Sequence, residues 1–239
     1  PAPVSQQALL EMGNYYYNKR KYDEAIEMFQ QIDQYALAQA ERNEVIFKLG
    51  YCQFVSKEFD GAEQNFRQIK ELENEYYYPS NYYYGLTQFF EGSYDEAIYH
   101  FQRVRNSRKY DDHIPYYIAQ IYFAKGEYDN LLKYALPIAD DRSLRNLEEI
   151  NQLIGQAYYE IGDYEKAVPY FEYFRSRSNR FRPEDYYQIG FVNYKTGNFE
   201  EAIRNFEELS RVDSKLGQNA MYYLADSYLK MGDKASARN

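Results

Sequence analysis

The chain has no tryptophan and a single cysteine, Cys52, so no internal disulfide framework holds it together. It has only two histidines, His100 and His113, with no ligand-like spacing between them, and Cys52 has no activating neighbour in sequence. Its carboxylates fall on the polar faces of helical patterns. Neither an enzyme nor a cofactor or metal site is expected. No apolar run approaches the roughly 18 residues needed to span a bilayer. An excess of positive charge is missing too: 28 Lys and Arg stand against 37 Asp and Glu, a net charge of -9, which argues against nucleic acid as the main partner.

What is abundant is the phenyl ring. Of 239 residues, 31 are Tyr and 15 are Phe, and 45% are hydrophobic, enough for a sizeable core and a globular rather than disordered chain. The stretch "NEYYYPSNYYYG" packs six tyrosines into Tyr76 to Tyr84. It reads as low complexity, as core or as a binding surface until the period of the chain is known.

One phrase recurs: "KYDEAIEMF", "EFDGAEQNF", "SYDEAIYHF", "EYDNLLKYA", "DYEKAVPYF" and "NFEEAIRNF". Its anchors are Ala25, Ala62, Ala97, Leu131, Ala167 and Ala202, and Ala237 begins a seventh copy, at intervals of 34 to 37 residues. Each copy reads as two helices. The second carries an aromatic, a small residue, an aromatic and an aliphatic on one face, as in Tyr22, Ala25, Phe29 and Ile32. In copy four (Tyr128, Leu131, Ala135, Ile138) the small and large residues exchange places. The first helix carries a matching stripe with a Gly or Ala midway, such as Leu9, Met12, Gly13 and Tyr16. Gly92, Gly126, Gly162, Gly197 or Gly232 sits between the helices, whereas copies one and two have Arg20 and Lys57, implying strain or a different turn. Pro79, Pro115 and Pro183 fall in first turns, and Pro137 and Pro169 should kink second helices.

With "NQLIGQAYYEIGDYEKAVPYF" (Gly155, Tyr158, Gly162, Tyr164, Ala167 and Phe171) the chain resembles the tetratricopeptide-repeat family over almost its whole length. It departs from the family by lacking the first-helix Trp and the closing proline. The resemblance implies an all-α solenoid of helix-turn-helix hairpins in a right-handed superhelix, with first helices lining the concave face. The copies run at about 6–42, 43–77, 78–111, 112–147, 148–182 and 183–217, with a partial copy at 218–239, in one array. Some members grip a C-terminal carboxylate with Lys and Asn. At the corresponding places (Leu10, Asn14, Tyr51, Pro79 and Tyr83) only Asn14 matches, so that function is rejected.

Three rows of first-helix positions face the implied groove. From them and their neighbours, Tyr17, Phe47, Tyr51, Tyr82, Tyr83, Phe89, Tyr116, Gln120, Gln156, Tyr159, Tyr187, Phe191 and Tyr194 are the candidate peptide-binding residues. The plainer alternative is that these rings wedge adjacent repeats, favoured for the row holding Tyr17, Phe89, Tyr159 and Tyr194. Two arginine clusters (Arg103, Arg105 and Arg108 with Lys109; Arg175, Arg177, Arg180 and Arg182) lie at second-helix ends, where cations complement the helix dipole.

The expected function is a monomeric protein–protein interaction scaffold taking an extended peptide or partner helix. "NAMYYLADSYLKMGDKASAR" is similar to bacterial cell-envelope members of the family, of the outer-membrane assembly lipoprotein and Tol–Pal coordinator types. That implies an envelope or periplasmic location. A cytoplasmic or secretion co-chaperone, a targeting array of a larger regulatory protein or enzyme, and an RNA-binding repeat stay open. Pro1 in place of Met, and a helical pattern running into residue 239, suggest a piece of a longer protein. Its uncapped last repeat is then expected to fray or to self-associate.

Overall fold

The computed structural model describes residues 5–105 and 107–238. Among them the regular structure is thirteen α-helices and three short 3-10 turns, with no strand. The chain gathers into two compact units, Pro1–Ile114 and Pro115–Asn239. Unit 1 holds the hairpins α1 (Gln6–Asn18) with α2 (Tyr22–Gln30), α3 (Gln39–Val55) with α4 (Phe59–Ile69), and α5 (Tyr77–Phe90) with α6 (Tyr94–Val104). Unit 2 holds α7 (Ile114–Ala124) with α8 (Tyr128–Ala135), α9 (Leu147–Glu160) with α10 (Tyr164–Arg177), α11 (Pro183–Lys195) with α12 (Phe199–Glu207), and α13 (Lys215–Lys230).

The recurring phrase explains each second helix. Its carboxylates (Asp23 and Glu24, Asp60, Asp95 and Glu96, Asp129, Glu165, Glu200 and Glu201) occupy first turns, where negative charge complements unpaired N–H groups. Its small residue and following Phe point inward. Phe29, Phe66, Phe101, Phe171 and Phe206 are at most 2% exposed, as their spacing predicts. Each ring packs directly against the Gly of its own first helix. A Cβ added at Gly13, Gly50, Gly85, Gly155 or Gly190 would stand only 2.5–3.1 Å from that ring. In copy four Ala119 replaces the Gly where Ala135 replaces the Phe, and both are fully buried beside Leu131. Leu131, at the place of the Ala found in the other copies, makes up most of the volume lost with the ring.

The turns within hairpins are all of one kind. In each, the residue three beyond the first helix donates a hydrogen bond back to a carbonyl near that helix's end: Lys21 to Tyr16 at 3.0 Å, Glu58 to Gln53 at 2.8 Å, and Asp163 to Tyr158 at 2.9 Å. The left-handed residue between is Gly at φ +70 to +84°, but Arg20 (φ 56°) and Lys57 (φ 63°) adopt the same conformation. Copies one and two therefore keep the turn, with strain rather than a different geometry.

The prolines divide. Pro79, Pro115 and Pro183 do lie in first turns. Pro137 ends α8, and the chain continues as the 3-10 turn Leu136–Ile138. Pro169, expected to kink its helix, is carried within an unbroken α10.

His100, fully buried on α6, ties the end of α4 to α5. The Asn81 amide donates to the carbonyls of Lys70 (2.6 Å) and Tyr77 (2.8 Å), which turns its oxygen toward His100 Nδ1 at 2.7 Å. That nitrogen must carry the proton, leaving Nε2 to accept from the Lys70 ammonium at 3.3 Å, with a Glu96 carboxylate oxygen 3.1 Å away. Burial and the Lys70 charge hold the imidazole neutral, its pKa lowered to about 4.

Three expectations follow from these contacts. Lys57→Gly should raise the urea-unfolding free energy by about 0.5–1 kcal/mol, since glycine adopts the left-handed turn without a Cβ clash. Phe206→Ala should cost about 3–5 kcal/mol alone but at least ~1 kcal/mol less in a Gly190→Ala background, because the added methyl fills what the ring vacates. Additive costs in that double-mutant cycle would refute the paired contact. The third concerns pH. A proton that binds the unfolded chain before the folded one leaves the stability intact above about pH 6.5 and removes it progressively toward pH 4. His100→Asn, which installs the residue found at the same repeat place as Asn65 and Asn205, should flatten the difference in unfolding midpoint between pH 7 and pH 5.

Candidate functional site: the first-helix faces

The rows traced along the first helices resolve into two kinds of ring. One kind closes hairpins. Tyr17 meets Tyr22, Phe54 meets Phe59, Phe89 meets Tyr94, Phe123 meets Tyr128, Tyr159 meets Tyr164 and Tyr194 meets Phe199, all with centroids 5.6–6.4 Å apart. The same ring pair spans the turn in six hairpins, so Tyr17, Phe89, Tyr159 and Tyr194 have a packing role whatever else they do.

The other kind joins hairpins. Tyr51 of α3 wedges against Tyr17 and Tyr22 at 5.6 and 5.8 Å. Phe191 of α11 does the same to Tyr159 and Tyr164 at 5.7 and 5.6 Å. Tyr83 of α5 is a hub, with Phe47, Tyr51, Phe54 and Phe66 at 5.0–6.2 Å. Tyr223 of α13 repeats that hub with Tyr187, Phe191, Tyr194 and Phe206 at 5.0–6.5 Å. Tyr223 was not among the residues singled out from the sequence. The signal was present, since Tyr83, Tyr117 and Tyr223 hold one repeat place, two before the midway small residue.

Two candidates are corrected. Tyr82, expected to present its hydroxyl, is only 7% exposed because Tyr110 lies flat over it at 4.5 Å. Tyr110 comes from the segment before α7, where no helical periodicity flags it, although Tyr76 holds the same repeat place and covers Phe47 at 5.3 Å. Gln156 is also 7% exposed, its amide spent on Gln188 Oε1 at 3.0 Å.

The remaining candidates are half-buried: Tyr17, Phe47, Tyr51, Tyr83 and Phe89 in unit 1, and Tyr116, Gln120, Tyr159, Tyr187, Phe191 and Tyr194 in unit 2. Unit 1 thus offers an aromatic basin. Its polar handle is Lys48, whose ammonium donates to Asn14 Oδ1 at 2.8 Å, pairs with Glu44 and lies 5.2 Å from the centre of the Tyr17 ring. Burial, and then the proximity of Tyr51, pushes the Tyr17 and Tyr83 hydroxyls well above the usual phenol range, so they act as neutral hydrogen-bonding groups.

Unit 2 is more polar. Gln120 donates to the Tyr116 hydroxyl at 2.8 Å, and Gln152 donates to Asp185 at 2.6 Å. The Tyr194 hydroxyl donates to Asp226 at 2.6 Å, and this bond, then burial, raises its pKa to about 12. The geometry suits recognition by ring faces, hydroxyls and amides. Among the described residues, no group of three or more His, Cys, Asp and Glu is arranged to hold a metal ion. Cys52 is buried and its thiol is pushed up to about 12, chiefly by desolvation.

Comparison with known proteins agrees with this architecture. Tetratricopeptide-repeat family models match residues 10–76, 148–172 and 192–238. A TPR repeat-containing protein of Bacillus subtilis, YpiA, is 23% identical over 100 residues, which are 42% of this chain and only 23% of the relative. Among solved structures, the C-terminal part of a TPR repeat-containing protein from Cytophaga hutchinsonii superposes with a TM-score of 0.72 at 19% identity, covering 95% of this chain and 91% of that one. PilW, described as a widely conserved type IV pilus biogenesis factor, gives a TM-score of 0.63 at 14% identity, covering 92% of this chain and 100% of its own. At such identities the structural likeness concerns the fold alone. Paired helices closed by one repeated turn, a Gly under a Phe in hairpin after hairpin, and family matches over more than half the sequence make this chain a member of the tetratricopeptide-repeat family.

Proposed function

We propose that the protein captures a partner polypeptide on its first-helix faces, the aromatic basin of unit 1 being the principal contact. The observation that supports this is that Tyr17, Phe47, Tyr51 and Tyr83 stay half-exposed after meeting every ring that adjacent hairpins supply. Half-buried tyrosines offer large, rigid contact area at little entropic cost, with a hydroxyl that can bond a partner's main chain. The amide-lined face of unit 2, with Tyr116, Gln120 and Tyr187, offers polar contacts of its own to an extended segment. The protein is then a scaffold and not a catalyst.

A finer reading assigns the scaffold to bacterial cell-envelope assembly. It is supported by the likeness to PilW and by the envelope-type resemblance of the last repeat. No helix among the described residues is long and apolar enough to cross a membrane. Fractionating cells that make the full-length protein distinguishes this reading from a cytoplasmic co-chaperone. The working state is a monomer, with self-association through the exposed Met221, Tyr222 and Leu229 of α13 as the competing outcome in sedimentation.

A photo-crosslinking amino acid at position 51 should trap a discrete protein partner in cells. The same probe at Tyr35, which is 89% exposed and away from the basin, should trap none. Tyr17→Ala with Tyr51→Ala should weaken the trapped complex at least about tenfold, the loss of about 1.4 kcal/mol or more, with the helical circular-dichroism signal retained. Equal labelling from both positions would sink the basin as the docking site.

A further inference from the structure

The arginine-rich stretch "RSRSNRFR", residues 175–182, contains four arginines and no acid, and the peptide-binding reading leaves it unused. Two of the four are consumed by the fold. Arg175 pairs with Glu201, and Arg182 holds the buried Asp185 at 3.1 Å. The other two are not. Among the described residues no carboxylate lies within ion-pair distance of Arg177 or Arg180, and both are exposed.

The scaffold beneath them is built. α10 has 14 residues, against 8 to 11 in the other second helices, and the exposed Arg177 is the last of them. The Arg177 guanidinium lies 4.1 Å from the centre of the Tyr173 ring, with one nitrogen donating to Ser176 Oγ at 3.2 Å. After α10 the chain turns extended, at Ser178 (ψ 145°) and again at Arg182 (ψ 160°). There Ser178 Oγ contacts both the N–H and the carbonyl of Arg180 at 3.2 Å. Phe181 pins the stretch from the opposite side, against Phe174 and Tyr186 at 5.3 and 5.4 Å. Alternation in extended backbone then sends Arg180 outward. The helix-dipole explanation covers Arg177 in the last turn but not Arg180, three residues past the helix end.

We propose that this edge of unit 2 binds a short run of carboxylates on an acidic protein segment. A guanidinium stacked on a tyrosine keeps its N–H edge open for a bidentate carboxylate and has already lost much of its rotamer freedom. An acidic protein segment is favoured over a long polyanion because the whole chain carries -9, which opposes nucleic acid or an anionic bilayer that reaches beyond a short basic edge. This site is independent of the aromatic basin.

The test is fluorescence anisotropy with labelled hexaglutamate at low and moderate salt, alongside labelled hexalysine, a 20-nucleotide oligothymidylate and phosphatidylglycerol vesicles. Hexaglutamate should bind at low salt. Arg177→Glu with Arg180→Glu should weaken it at least about tenfold, with an unchanged melting temperature, and Arg177→Lys with Arg180→Lys should weaken it less. Tyr51→Ala should leave it unaltered, which separates this site from the basin. Absent binding, binding insensitive to the charge reversal, or tighter binding of oligothymidylate or vesicles would each overturn the proposal.

Discussion

Everything described depends on one close approach: a phenylalanine ring resting on a glycine backbone inside five of the six paired hairpins. Where the large ring is present, the two helices can come together at that point only because the facing residue has no Cβ. With the helices so near, a single turn geometry closes every hairpin, and the ring pairs across the turn fall at nearly one distance in six copies. Copy four, where Leu131 joins the Ala119–Ala135 pair, shows that the constraint is on summed volume rather than on identity. Because the core is thereby satisfied within second helices, the first helices are free to vary. There the chain has placed tyrosines, glutamines and a lysine instead of one repeated side chain.

Much of this was legible in the sequence, because the period is strong and local. The anchor residues, the buried phenylalanines and the first-turn prolines follow from spacing alone. What spacing could not reach lies outside the helices or depends on a neighbour. Tyr110 covers Tyr82 from a segment with no period, and so removes a residue that helical geometry alone would have put on the surface. Gln156 is lost to the groove through a partner a full repeat away, Gln188. Lys57 looked like a departure from the pattern, yet backbone hydrogen bonding forces it into the same left-handed turn that glycine takes elsewhere. Pro169 leaves α10 unbroken, whereas Pro137 ends α8.

The tyrosines of the stretch between Asn74 and Gly85 divide by position within a single helix. Tyr84 is core, Tyr82 is covered, and Tyr83 is a hub whose edge remains partly exposed. Identical neighbours in sequence therefore do three different jobs, set by the rotation of about 100° between successive helical residues. The high tyrosine content is explained by the same logic. A ring that must pack on one side and stay wet on the other is better served by a phenol than by phenylalanine or leucine.

The hub arrangement bears on how such an array can be cut and copied. Tyr83 belongs to the third copy, but four of the rings it meets, Phe47, Tyr51, Phe54 and Phe66, belong to the second. Tyr223 is likewise housed by the sixth copy while being encoded in the seventh. The segment that repeats along the gene is thus out of phase with the segment that fills a socket in space. A duplication or deletion can preserve both only if its breakpoints fall after the hub tyrosine, partway along a first helix, and not in the loop where the sequence most visibly restarts.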